Sequence, residues 1–327
     1  MEAPGGKSSL VHRLMLLVGS GLVLMFFSEL FFVNEGPATS LLRAAQNPTQ
    51  LPLMIGELGL WYALLAAWLL VPIYLFRVRR WEALLLAGAI FGWATEGVII
   101  PLLYAEFPIS VVWPTLAWHA VVDVMLGWWL LRLLLLTRKP LWIALAAVGL
   151  GAFWGWWATW PQEDPGFSAM TVSEFALFAA AASLVWVLGN VLVERGAGEY
   201  TPAKWEWMGL LGLGGLMWLI WLFSMFPLAL VFPALVLLMV PALRRNRQVE
   251  TGPTVLEQMR GRAGWLGHSL LLLTPLTAVG AYALMRRAEV FAPTDALTLP
   301  LMSVSLVLLT VAVVRLLRLP TAVDLAG

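Results

Sequence analysis

The chain has no cysteine in its 327 residues, and only three histidines. Without cysteine there are no disulfides, no thiolate nucleophile and no cysteine metal site. Charge is scarce too: Asp, Glu, Lys and Arg make up 12% of the residues, against about 25% in a soluble domain. No polar stretch is longer than the segment from Arg244 to Gly264, which leaves no room for a separate soluble domain. The basic residues sit in short loops rather than along one face, so the sequence carries no footprint for nucleic acid. One histidine among a few carboxylates is thin for zinc, and neither a metal nor a cofactor is expected.

What is abundant is apolar sequence, 61% of the chain. Runs longer than 18 residues recur from end to end, as in membrane-spanning helices. The pattern predicts an all-α, polytopic integral membrane protein forming one membrane domain over 1–327. Helices are expected at about 12–33, 54–76, 141–160, 172–193, 264–285 and 298–316, with two more between Arg80 and Arg138. The basic start followed by LMLLVGSGLVLMFF has the outline of a signal peptide. The run continues past Ser28 and Glu29 without a clean cleavage site, which favours an uncleaved first helix. Gly36, Pro37, Asn47 and Pro48 mark the loop after it. Trp207 to Leu243 is 37 residues without a charge. As one helix it would be about 55 Å long, where a membrane core needs about 30 Å. Phe226-Pro227 near its middle predicts two helices instead, which brings the total to ten.

The twenty Lys and Arg test that count. With ten helices, all but Arg43, Arg286 and Arg287 fall on one side. The positive-inside rule makes that side, and both termini, cytoplasmic. The expected location is the plasma membrane of a prokaryote, with membrane lipids as neighbours and a hydrophobic or membrane-embedded molecule as the partner.

Charge inside such helices is costly and points to function. Glu96 stands in one apolar segment; His119 and Asp123 stand in the next. His119 and Asp123 are four apart and share a helix face, in a stripe of Thr115, His119, Asp123 and Gly127. The preceding helix has a matching stripe of Gly88, Gly92 and Glu96, whose glycines let a neighbouring backbone come close. The two helices are expected to pack with Glu96, His119 and Asp123 facing one another, Glu96 roughly 22 Å above the cytoplasmic end. Glu29, Glu57 and Thr115 are candidate contributors near the outer ends of their helices. The first four helices, 12–140, thus hold the polar site. Residues 141–327 read as scaffold with a cytoplasmic loop at 244–263, and His12 and His268, near helix ends, read as incidental.

The run Trp118-His119-Ala120-Val121-Val122-Asp123 resembles the last motif of the CAAX protease and bacteriocin-processing family. These are polytopic intramembrane proteases in which a final HxxxN or HxxxD lies on a membrane helix. In the family's middle motif a Phe precedes a His; here Phe91-Gly92-Trp93-Ala94-Thr95 leads to Glu96 in the histidine's place. The family's first motif, a Glu-Glu pair followed by xxxR, has no counterpart, since the sequence contains no Glu-Glu. The resemblance is confined to the two helices between Arg80 and Asp123, and it implies an intramembrane hydrolase.

The residues alone leave three readings open. Glu96, His119 and Asp123 are equipped to activate water for hydrolysis. The same groups suit the coupling proton of a transporter, and Pro72, Pro101 and Pro114 allow the broken helices that line such sites. The third is a structural membrane protein without chemistry.

Overall fold

In hydrocarbon every backbone N–H and C=O must find its partner within the chain, so long apolar runs fold as helices. The computed structural model describes residues 8–33, 38, 39, 49, 51–163, 169–198, 200–248 and 252–319. It is 81% helical, with no strand among the described residues. Among the described residues, ten helices are long and apolar enough to cross a membrane. They are α1 (Leu10–Leu30), α2 (Leu51–Leu75), α3 (Trp81–Ile99), α4 (Ile109–Leu136), α5 (Pro140–Gln162), α6 (Val172–Gly196), α7 (Lys204–Ser224), α8 (Leu228–Gln248), α9 (Gly264–Ala288) and α10 (Thr294–Leu317). The uncharged stretch divides into α7 and α8, with Phe226-Pro227 in the break. Gly36, Pro37, Asn47 and Pro48 of the expected loop, and Arg43 between them, lie outside the described residues.

Helix α3 is the axis of the bundle. Of its apolar stretch 94% is buried, against none of α7 and 17% of α10. It packs against α2, α4, α7, α8 and α10. Two other pairs are held tightly by small residues, α1 with α6 and α5 with α9. A Cβ on Gly19 would stand 2.6 Å from Val193 N, and one on Gly155 would stand 2.1 Å from Ala278 O, so these backbones touch as glycine interfaces do in lipid.

Polar contacts gather at the two ends of the bundle. At one end Arg132 Nη1 donates to Glu194 Oε2 at 3.0 Å, and its Nε and Nη2 donate to the carbonyls of Met259 and Gly261. The Ala263 N–H reaches the same Glu194 oxygen at 2.7 Å, and His268 Nε2 lies 3.1 Å from it. Nearby, Arg13 pairs with Glu206 at 2.8 Å, Asn246 donates to Phe76 O, and Arg245 donates to Leu319 O. The described chain therefore begins and ends at this basic face, where residues 252–263 are clamped over the ends of α4 and α6. Arg286, which stands outside the charge pattern, is at the other end and donates to Gln162 Oε1 at 2.6 Å, tying α9 to α5.

Candidate functional site

Among the described residues three segments are wound as π-helix, and they meet at one place. Phe26–Leu30 at the end of α1, Thr95–Ile99 at the end of α3 and Thr115–Leu130 in α4 are wound as π-helix. Their i→i+5 bonds include Phe31 N–H to Phe26 O at 2.8 Å, Ile100 N–H to Thr95 O at 3.2 Å and His119 N–H to Pro114 O at 3.1 Å. Such turns are uncommon, and they concentrate at functional sites. Carbonyls around these segments are met by indoles. Trp118 Nε1 donates to Phe27 O at 2.9 Å, Trp221 Nε1 to Val98 O at 3.0 Å and Trp154 Nε1 to Phe31 O at 3.1 Å. Buried Trp supplies a donor along with its bulk.

The glycines of α3 bring α4 against it. A Cβ on Gly92 would stand 2.0 Å from Thr115 O and 3.0 Å from His119 Cβ. One on Gly88 would meet Ala120 and Val124, at 3.2 Å and 3.3 Å. The stripe expected on α4 is therefore displaced. A π-wound helix carries more residues per turn than the 3.6 of an α-helix, so the row facing α3 drifts from Thr115 through His119 and Ala120 to Val124. Gly127 turns to α1, where its Cβ position lies 2.4 Å from the Phe27 ring.

At that contact Glu96, His119 and Asp123 form one chain of polar groups. His119 Nε2 lies 2.9 Å from Glu96 Oε1, and Nδ1 lies 2.7 Å from Asp123 Oδ2. All three are buried, with 6%, 4% and 0% of their surface exposed. The Ser28 hydroxyl from α1 donates to the same Asp123 oxygen at 2.5 Å and stands 3.4 Å from His119 Nδ1. Both imidazole nitrogens are thus engaged by carboxylates. Glu96 Oε2 and Asp123 Oδ1 have no hydrogen-bond partner. A buried carboxylate oxygen without a donor is costly, and a polar cavity in which water can sit relieves that cost.

Such a cavity, of about 600 Å³, adjoins Glu96 and His119. Its polar wall is Ser28, Glu29, Tyr62, Thr95, Glu96 and His119. Ile100 and Glu106, both exposed, line its other end, so it reaches the surface at the connection between α3 and α4. Glu29 accepts a hydrogen bond from the Tyr62 hydroxyl. The two remaining candidates stand apart from this chemistry. The Thr115 hydroxyl donates to the carbonyls of Ser110 and Val111 at 2.8 Å and 2.7 Å, closing its own helix start. Glu57 is exposed near the beginning of α2 and does not line the cavity.

Sequence reasoning missed Ser28 and Tyr62, whose hydroxyls in apolar runs carry no signal, although each is next to or one turn from a named acid or aromatic. It also missed the Arg132, Glu194 and His268 cluster, since each residue taken alone sits unremarkably near a helix end. Among the described residues no group of three or more His, Asp or Glu is arranged to hold a metal ion. No family model, curated protein or solved structure matches this chain.

Proposed function

We propose that this protein is an intramembrane hydrolase in which Glu96 activates water. The observation that carries the reading is the division of labour within the Glu96 carboxylate: Oε1 is tied to His119, while Oε2 is unpartnered beside the cavity. With the Nδ1 proton given to Asp123, one proton remains on the line between Glu96 and His119 Nε2. Moved to the imidazole, it leaves Glu96 a carboxylate that takes a proton from water as the oxygen attacks an acyl carbon. The proton taken from water makes Glu96 the acid that then protonates the leaving group, which restores its carboxylate. Asp123 and Ser28 fix the ring for both steps, and Asp123 balances the charge on the imidazolium. Ser28 is not the nucleophile, because the nitrogen nearest to it is already engaged by Asp123.

The resemblance of Trp118–Asp123 to the CAAX protease and bacteriocin-processing family supports the same reaction class. The concentration of arginine at one face supports a cytoplasmic position for both termini. The cavity then opens on the outer side of the plasma membrane of a prokaryote.

A second reading, a proton-coupled carrier, is favoured by the unpartnered Asp123 Oδ1, which extends a proton path from the cavity into the bundle. One comparison separates the two. Protein in lipid nanodiscs is given fluorogenic acyl esters, choline esters and peptide amides, as wild type and as Glu96→Gln. The hydrolase reading expects turnover that falls by about 10²–10⁴ in Glu96→Gln while binding persists. Turnover unaffected by the substitution contradicts it. Glu96-dependent, pH-driven uptake of a probe into proteoliposomes without cleavage replaces it with the carrier.

A further inference from the structure

The cavity has a chemical preference of its own. Among the described residues three carboxylates line it, Glu29, Glu96 and Glu106, and neither Lys nor Arg does. Acids alone do not make a site, but Glu96 is buried to all but 6% and presents its unpartnered Oε2 here. The apolar walls combine aliphatic side chains with aromatic ones. Trp113, Trp118 and Phe32 form a continuous ring cluster, with centroids 6.0 Å apart for Trp113 and Trp118 and 4.6 Å for Phe32 and Trp118. Trp61 and Tyr62 contribute from α2. Carboxylates among aromatic rings attract an organic cation, through charge at the acids and through the negative ring faces at the walls. Among the described lining residues an anionic headgroup such as a phosphate would meet three acids and no basic side chain.

We infer that the cavity recognises a substituted ammonium group, so that the molecule acted on carries an organic cation. This rests on the hydrolase reading for what happens next, but not for the binding itself. The ammonium lies between Glu29 and Glu106 with its substituents against Trp61 and Trp113, leaving Glu96 Oε2 to face the bond that is broken. The mouth at Ile100 and Glu106 admits the cation from the aqueous surface.

The test is calorimetric titration of the intact protein in uncharged nanodiscs with tetramethylammonium and with choline, at low salt. Saturable binding is expected for both, and none for acetate or inorganic phosphate. Glu29→Gln is expected to weaken the cations about tenfold, and Trp61→Leu severalfold. Glu106→Gln is the variant least exposed to misfolding, since its side chain lies at the surface. It should melt as wild type and still bind severalfold more weakly. Absence of saturable cation binding by folded wild type overturns the inference, as does unchanged affinity in both Glu106→Gln and Trp61→Leu. The two readings fail separately. Cation binding without hydrolysis of choline esters retains the inference against the hydrolase, and Glu96-dependent hydrolysis of neutral esters without cation binding does the reverse.

Discussion

Gly92 gives the sharpest test of how α3 and α4 are joined. A Cβ there would stand 2.0 Å from the Thr115 carbonyl oxygen, where ordinary contact begins at 3.4 Å. Gly92→Ala therefore forces the two helices apart by about 1.4 Å, the difference of those distances. The obstacle is backbone, which cannot swing aside as a side chain end does. Overpacking of this kind costs roughly 1–3 kcal/mol. The same displacement lengthens the 2.9 Å contact of His119 with Glu96 past hydrogen-bond range, so the site should suffer along with the fold. Gly149→Ala and Gly280→Ala are the controls, because a Cβ at either position meets nothing within 4 Å. Replacing those helical glycines should gain up to about 1 kcal/mol. Thermal unfolding in detergent reads all three. A Gly92→Ala protein that melts together with the two controls would refute the close contact.

Three further outcomes follow from named contacts. Arg132→Met takes the guanidinium from Glu194, which keeps only the Ala263 N–H and His268, and leaves the carbonyls of Met259 and Gly261 without their side-chain donor. It should cost about 3 kcal/mol and speed tryptic cleavage after the exposed Arg260 and Arg262; a cleavage rate equal to wild type would mean that the clamp does not hold residues 252–263. Tyr62→Phe removes the hydroxyl that donates to Glu29 and should lower stability by about 1–3 kcal/mol, whereas an unchanged unfolding midpoint would show that water replaces the hydroxyl at no cost. Reporter fusions after Arg80, Lys139 and Arg247 should report cytoplasm, and one near Glu106 the outside. An outside signal at Arg247 would overturn the assigned orientation.

Much of the fold was legible because hydrocarbon imposes a simple rule, that long apolar runs become helices. The division of 207–243 followed from its length and from Phe226-Pro227. The site was legible where cost made it so: Glu96, His119 and Asp123 are ionisable groups within apolar helices, and they meet. What sequence could not convey was winding. Counting by fours along α4 found the His119–Asp123 contact but sent Gly127 towards α3, because the π-helical turns that rotate it to α1 leave no mark in the sequence. Thr115 and Glu57 illustrate another limit. A threonine one turn into a helix is as able to satisfy nearby carbonyls as to face a cavity, and a glutamate near a helix start finds water. Ser28 and Tyr62 join the site only through partners on other helices, a relation that a single chain read in order does not contain. The Arg132 cluster was hidden for the same reason, its members being Arg132, Glu194 and His268.

The central claim is that Glu96 is held by His119 on one oxygen and faces water with the other. An experimental structure in lipid, at a resolution that places ordered water, measures this directly. The account expects the Glu96 Oε1 to His119 Nε2 distance near 2.9 Å, with water within about 3 Å of Oε2. A separation beyond about 8 Å between carboxylate and imidazole, outside hydrogen-bond range even through one water, would contradict it.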